Sequence, residues 1–209
     1  MIACILPTRG LAYTKVLESI ERERRGYDLK IYYSYDKPIP DGHNELCKQA
    51  LEDGADYLWM VEEDTVPTEG CLKKMLDAKV DIICVDYGIN SWSCVTRDVY
   101  SNILWCGLGC TLVRRGVFEK LEYPYFRVDQ VYRLNDHVWV QLPEEYLKKK
   151  NYGSLDIWFF HHARKVGYKI NQLGGECEHL LLESLGERGK NHGLHTIITR
   201  PKINFLQVV

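Results

Sequence analysis

The 209-residue sequence lacks an excess of charge of either sign and lacks a long apolar run. Lys and Arg number 27 against 29 Asp and Glu, which gives a formal net charge of −2. This balance excludes the strongly basic surface expected of a general nucleic-acid or anionic-membrane binder. The longest weakly polar run, 103–113, is about half of the roughly 20 residues that a membrane-spanning helix needs, and Gly107 and Gly109 interrupt it. We therefore expect neither a nucleic-acid partner nor a membrane span.

The sequence also lacks an export signal and a Cys-x-x-Cys pair. The apolar residues 1–6 have no basic leader and run directly into Pro7, Thr8 and Arg9, which favours a strand over a signal peptide and predicts a cytoplasmic protein. Eight cysteines are present, most of them in apolar runs. In a reducing compartment we expect buried free thiols, with disulfides or a thiolate zinc site as the alternatives.

The first half of the chain alternates apolar runs with segments of helical period. Strands are predicted at 2–6, 29–33, 57–61 and 81–85, and helices at 12–25, 41–54 and 68–78. This alternation predicts an α/β fold with a mostly parallel central sheet and helices on both faces. The second half is less regular. It is predicted to contain a strand at 110–114, helices at 116–120 and 154–167, and two strands, 168–173 and 177–181, that flank Gly174-Gly175.

Three polar clusters follow predicted strands closely, namely Pro7-Thr8-Arg9, Tyr35-Asp36 and Glu62-Glu63-Asp64. Ligands of parallel sheets bind beyond the carboxyl ends of the strands. Three adjacent acids repel one another unless positive charge is near, and a divalent cation with a phosphate ligand supplies it. Because side chains alternate along an extended segment, Glu62 and Asp64 are expected to share one metal site. A solvated acidic turn before Pro67 is the alternative.

Two further residues, Asp156 and His179, have side chains that could act as a general base and as a metal ligand. Asp156 lies in the first turn of the predicted helix 154–167, where the helix dipole favours the ionised carboxylate that a general base needs. His179 lies in a predicted strand, and its neutral imidazole could complete an oxygen-rich metal site. Each residue also has a simpler interpretation, because an acid in a first turn stabilises a helix without chemistry and a histidine in a strand is often structural.

Together these segments resemble the glycosyltransferase family 2-like enzymes, whose fold is called GT-A, over residues 1–182. The similar segments are ILPTRG at 5–10, YLWMVEEDTVPTEGCLKKML at 57–76, WCGLGCTLVRRGVFEKLEYPYF at 105–126, GSLDIWFFHHARKVGYKI at 153–170 and CEHL at 177–180. Glu62 and Asp64 match the outer positions of the family's DxD motif, although its first acid is here a glutamate. Leu155 replaces the acid expected before Asp156.

The resemblance implies a Rossmann-like GT-A fold and a hexosyltransferase-like enzyme that uses Mn²⁺ or Mg²⁺. Such an enzyme moves a sugar, with inversion, from a UDP- or GDP-sugar to a hydroxyl of a glycan, lipid or protein acceptor. It implies one catalytic domain over 1–185, with a nucleotide-binding half at 1–90 and an acceptor half at 91–185, followed by a mobile loop and tail at 186–209. The implied donor-binding residues are Pro7, Thr8, Arg9, Asp36, Asn44, Glu62 and Glu63. The implied metal ligands are Asp64, Glu62 and His179, the base is Asp156, and the acceptor residues are Trp92, Trp105, Gly107, Leu108 and Gly109.

Two other functions fit part of the pattern. A sugar nucleotidyltransferase also places acids and a metal at a parallel sheet, but it usually begins with a longer glycine-rich, basic loop than PTRG with the single nearby Lys15. A non-catalytic protein of the same fold could bind a carbohydrate or a nucleotide sugar. Such a protein is expected to release no nucleoside diphosphate when manganese is present.

Overall fold

The computed structural model describes residues 1–8, 12–35, 37, 39–89, 92–133, 138–141, 155–182 and 197–198. The helices are α1 (Thr14–Arg24), α2 (Ile39–Glu52), α3 (Cys71–Asp77), α4 (Arg115–Lys120) and α5 (Leu155–Lys165). The strands β1 to β14 are, in chain order, Ile2–Pro7, Leu29–Ser34, Tyr57–Val61, Thr65–Val66, Ile82–Ile89, Trp92–Ser93, Thr96–Arg97, Ile103–Trp105, Cys110–Arg114, Gln130–Arg133, Val138–Gln141, Asn171–His179, Leu181–Leu182 and Ile197–Ile198. In the described part of the chain, no helix is long and apolar enough to cross a lipid bilayer.

The central sheet has the strand order β2-β1-β3-β9-β5-β12-β4, with β6 paired to β5. Strand β1 is parallel to β2 and β3, and β5 is parallel to β12. Strand β9 lies between β3 and β5 and is antiparallel to both. Strands β1, β2, β3, β5 and β12 therefore run in one direction, and their carboxyl ends share one edge. The predicted mostly parallel α/β sheet is confirmed.

Helices cover both faces of this sheet, as the sequence predicts. On β1, Ala3 and Ile5 pack into a core with α2, α4 and α5, whereas Cys4 and Leu6 pack into a second core with α1 and α3. Both faces of β1 and β3 are buried, which explains why these two strands are continuous apolar runs rather than alternating patterns.

The end of the sheet differs from the prediction at one point. The two strands predicted around Gly174-Gly175 are one strand, β12, with an irregularity in its pairing to β5 between Leu173 and Glu176. Gly175 has a φ of 108°, a conformation that L side chains rarely adopt. A bulge at the glycine pair lets the strand continue to His179, so the prediction of two strands was wrong.

The eight cysteines are all buried, and none is in a disulfide. This confirms the predicted burial of the cysteines. The predicted mobile loop and tail at 186–209 lie outside the described residues, apart from 197–198.

Candidate functional site

The carboxyl ends of β1 and β2 lie next to each other at one side of the shared strand edge. Pro7, the last residue of β1, pairs in register with Ser34. Thr8 is buried, and its Oγ1 donates a hydrogen bond to the Ser34 carbonyl at 3.0 Å. Two of the predicted donor residues thus lie at the strand ends. Two further predicted donor residues, Arg9 and Asp36, lie outside the described residues.

The three acids after β3 form a tight turn. The Thr65 amide donates to the Glu62 carbonyl at 3.2 Å, and β4 begins at Thr65. The extended segment expected at 62–64 is therefore a turn, and alternation along a strand is not what relates the side chains of Glu62 and Asp64. The amide of Tyr13, just before α1, donates to the Glu63 carbonyl at 3.1 Å, so the turn is held against α1.

Despite the turn, two of the acids face one pair of stacked rings. The Asp64 Oδ2 lies 3.6 Å from the His179 Nε2, and the Glu62 Oε2 lies 3.4 Å from the Tyr87 hydroxyl. The rings of Tyr87 and His179 stack with their centroids 5.5 Å apart. The tertiary contacts therefore bring Glu62, Asp64 and His179 to one place at the strand edge.

His179 is positioned by backbone pairing. Strand β4 pairs with the end of β12, with His179 opposite Thr65, and the Leu180 amide donates to the Asp64 carbonyl at 2.7 Å. The His179 side chain is 12% exposed, and its buried Nδ1 has no hydrogen-bond partner among the described residues. The imidazole is thus fixed beside Asp64 with one ring nitrogen still unpaired.

Tyr87, from the end of β5, is a member of the site that the sequence analysis missed. Its hydroxyl accepts a hydrogen bond from the Gly109 amide at 3.1 Å and donates to Glu62. Burial and then the charges of Glu62, Cys94 and Asp156 raise the pKa of Tyr87 well above its ordinary value, so its hydroxyl stays protonated. Asp86-Tyr87 directly follow the predicted strand 81–85, and that strand-end position is the signal that could have found it.

Gly107, Leu108 and Gly109, the predicted acceptor segment, hold Tyr87 in place. A Cβ on Gly107 would lie 2.0 Å from the Tyr87 hydroxyl oxygen, and one on Gly109 would lie 2.6 Å from the Thr65 Oγ1. Leu108 is buried, and the Glu62 amide donates to the Gly109 carbonyl at 3.3 Å. Glycine is required at 107 and 109 because Tyr87 and Thr65 approach the backbone so closely.

Gly107→Ala is expected to destabilise the protein by about 1–3 kcal/mol, the usual cost of overpacking an interior. The added methyl group must displace the Tyr87 ring, which is itself buried. Urea unfolding of the variant and the parent measures this loss. Gly88→Ala is the matched control because a Cβ there meets nothing within 4 Å. An equal free energy of unfolding for Gly107→Ala and Gly88→Ala would contradict the close approach.

Asp156 is the second residue of α5 and is partly buried. Burial raises the pKa of its carboxyl to about 6, while the Ile157 amide, which donates to Oδ1 at 2.8 Å, opposes this rise. The Asp156 charge also contributes to the raised pKa of Tyr87. The hydroxyl of Tyr87 contacts Glu62. The charges of Glu62 and Asp156 therefore both act on this hydroxyl.

Asn44 does not have the position expected of a donor contact. Its side chain is buried, donates to the Phe126 carbonyl at 2.9 Å and accepts from the Phe126 amide at 3.0 Å. Both ends of the amide thus tie α2 to the segment before β10, which gives Asn44 a structural role. Trp105, a predicted acceptor residue, packs partly buried against the core, and the Trp92 side chain lies outside the described residues.

The predicted metal ligands are only partly assembled. Within the described residues, Glu62, Asp64 and His179 do not bring three ligating atoms within 4.8 Å of one another; a group of cysteines does. Asp64 and His179 form the close pair, whereas Glu62 turns towards Tyr87. The carboxylate oxygens suit Mn²⁺ or Mg²⁺, and the Nδ1 of His179 has no hydrogen-bond partner among the described residues.

Comparison with models of protein families gives no match for this chain, and comparison with curated proteins gives none. Among solved structures, the chain is similar to the crystal structure of A197 from STIV. That match has a TM-score of 0.63 and 16% sequence identity, and it covers 97% of this chain and 95% of that one. At this identity the likeness is one of fold. A 4-diphosphocytidyl-2C-methyl-D-erythritol synthase from Anaerococcus prevotii matches with a TM-score of 0.46 and 11% identity over 83% of this chain and 88% of that one, which does not establish a common fold.

Proposed function

We propose that this protein is a metal-dependent glycosyltransferase of the GT-A type. It would transfer a sugar from a UDP- or GDP-sugar to the hydroxyl of a glycan, lipid or protein acceptor. The observation that carries the proposal is that Glu62 and the Asp64–His179 pair meet at the stacked rings of Tyr87 and His179 at the carboxyl edge of the sheet. The charge of Asp156 also raises the pKa of Tyr87. This is the edge at which α/β sheets bind their ligands.

On the donor side, Asp64 and His179 would hold the divalent ion. Carboxylates alone repel a diphosphate, so an anionic donor at this edge requires a cation between the two. A bound Mn²⁺ or Mg²⁺ supplies positive charge where the departing diphosphate becomes more negative. Glu62 is held by the neutral Tyr87 hydroxyl, which suits a contact to the ribose or to a water molecule of the ion. Thr8 would line the nucleotide end.

On the acceptor side, Asp156 would remove the proton of the attacking hydroxyl. General bases work best when their pKa lies near the operating pH, and burial raises the pKa of Asp156 to about 6. A base that faces the leaving group across the sugar supports a single displacement with inversion.

The free cysteines support a reducing compartment, for which we propose the cytoplasm. All eight cysteines lie in the described part of the chain, and no two of them form a disulfide. Disulfides are rare where glutathione and thioredoxin keep thiols reduced.

A panel of sugar nucleotides tests the proposed function by thermal unfolding. One UDP- or GDP-sugar with Mn²⁺ should raise the melting temperature by several degrees, since a ligand at 100 times its Kd stabilises the native state by about 2.7 kcal/mol. The shift should disappear with EDTA. No shift with any member of the panel would contradict the proposal.

Slow hydrolysis of the selected donor separates an enzyme from a binder. A transferase releases a little nucleoside diphosphate to water in the presence of Mn²⁺, and a non-catalytic binder releases none. Formation of a sugar nucleotide from a nucleoside triphosphate and a sugar phosphate would instead identify a nucleotidyltransferase.

A further inference from the structure

Three buried cysteine sulfurs form a cluster below the candidate site. The Sγ atoms of Cys71, Cys110 and Cys177 all lie within 4.8 Å of one another, and those of Cys71 and Cys110 are 3.7 Å apart. The Sδ of Met75 lies 4.0 Å from the Cys71 Sγ. The four residues are between 0% and 5% exposed. We call Cys71, Cys110, Cys177 and Met75 the sulfur cluster.

The sulfur cluster joins parts of the chain that are far apart in sequence. Cys71 is the first residue of α3, Cys110 is the first residue of β9, and Cys177 lies in β12. Cys110 directly follows Gly109 of the predicted acceptor segment, and Cys177 precedes His179 by two residues. A ligand bound to all three cysteine sulfurs would therefore cross-link α3, β9 and β12 next to the candidate site.

The distances match those of sulfurs that share one metal ion. Two thiolates bonded at about 2.3 Å to one ion at tetrahedral or trigonal angles lie about 3.8–4.0 Å apart, close to the separation of Cys71 and Cys110. Buried cysteines also pack simply as small apolar residues. That interpretation does not account for the gathering of these side chains: among the described residues, no other set of His, Cys, Asp or Glu brings three ligating atoms so close.

The donor set indicates which ion would bind. A closed zinc site uses four Cys, His or carboxylate ligands, whereas the fourth neighbour here is a thioether. Soft thiolate and thioether ligands suit Cu(I), zinc and iron–sulfur clusters, and the thioether beside the thiolates favours Cu(I) because it is not among the usual zinc ligands. We propose that Cys71, Cys110 and Cys177 bind one Cu(I) ion, with the Met75 sulfur as a neighbouring ligand. Each coordinating thiol gives its proton to solvent when the ion binds.

Titration of the reduced full-length protein with Cu(I), without oxygen and against a chromogenic Cu(I) chelator, tests the proposal. The parent should withhold one equivalent of copper, and its melting temperature should rise by about 5 °C or more at saturation. Cys71→Ser and Cys177→Ser should each weaken binding by at least about 100-fold, beyond the loss usual for an outer ligand partner. Cys47→Ser is the matched control, since Cys47 is equally buried but lies in α2, outside the cluster.

Met75→Leu preserves the side-chain volume and should fold, so it tests the copper site even if a serine variant does not fold. It should weaken Cu(I) binding by about 10-fold, and an unchanged affinity would overturn the thioether contact. Failure of the parent to withhold copper, or tight Zn²⁺ binding from which Cu(I) is excluded, would overturn the assigned metal. The metal site would also be overturned if the reduced protein bound no metal and its Cys71 and Cys110 formed a disulfide in air. These readouts are metal affinities and do not depend on the proposed sugar transfer.

Discussion

Asp156→Asn is expected to lower the turnover of the proposed sugar transfer by about 10²–10⁴-fold, the usual contribution of a general base, while donor affinity stays nearly unchanged. Asparagine has the shape of the carboxylate and can keep the hydrogen bond that the Ile157 amide donates to Oδ1. It cannot accept the proton of an acceptor hydroxyl. Calorimetric titration with UDP and GDP plus Mn²⁺, followed by a transfer assay, measures both quantities. Turnover at the parental rate would show that Asp156 is not the base.

The pH dependence of the parent checks the same assignment. Because burial raises the pKa of Asp156 to about 6, the carboxylate is mostly protonated, and inactive as a base, below that pH. The kcat/KM of the parent should therefore rise about tenfold per pH unit up to about pH 6 and then level off. The residual activity of Asp156→Asn should not show this rise.

Stability provides a control against unfolding as the cause of lost activity. A carboxyl whose pKa is 3.8 when unfolded and about 6 when folded binds more protons in the native state, so stability falls as the pH rises from about 4 to about 6. At about 1.4 kcal/mol for each pH unit, the parent loses at most about 3 kcal/mol over this range. Asp156→Asn has no such titration. It should be more stable than the parent at pH 7 and should lose this advantage below pH 4.

The elements that could be predicted from sequence are those whose burial leaves a pattern in one segment. Strands β3 and β9 have the predicted bounds, Tyr57–Val61 and Cys110–Arg114, because β3 is an unbroken apolar run and the four buried residues of β9 end at the exposed Arg114. The position of β9 between β3 and β5 is set by which strands pair, and no local pattern records that. The bulge in β12 was missed because Gly174-Gly175 resembles a loop until the pairing with β5 is known.

The candidate site shows the same division. The acids after β3 could be found because charge after a buried strand is conspicuous in sequence. Tyr87 has only its position near a strand end as a sequence signal, because its role depends on contacts with Glu62, in the turn after β3, and with the backbone of Gly109. For Asn44 the sequence could not reveal the hydrogen bonds to the Phe126 backbone, because a buried amide that binds a distant backbone segment has the same sequence appearance as one that faces a ligand.

Asp64→Ala is expected to weaken metal-dependent donor binding by at least about 100-fold, more than the loss of a residue that only orients a ligand. The side chain contributes the carboxylate nearest to His179, with 3.6 Å between Oδ2 and Nε2. Its backbone carbonyl, which accepts the Leu180 amide, is unaffected, so the β4–β12 pairing should survive. Calorimetric titration with UDP or GDP in the presence of Mn²⁺, and again with EDTA, measures the metal-dependent part of the affinity.

Asp81→Ala is the matched control for the loss of one negative charge. Asp81 immediately precedes β5, at the opposite end of that strand from Tyr87, and lies 3.6 Å from Arg114. If overall charge alone governed the binding of an anionic donor, removal of either acid would strengthen it to a similar extent. If Asp64 is a metal ligand, its loss weakens binding although the site becomes less negative, and Asp81→Ala leaves the affinity near the parental value. Loss of negative charge alone cannot weaken the binding of an anionic donor, so a weaker affinity of Asp64→Ala would point to lost metal coordination. Equal donor affinity for Asp64→Ala and the parent would refute the metal assignment.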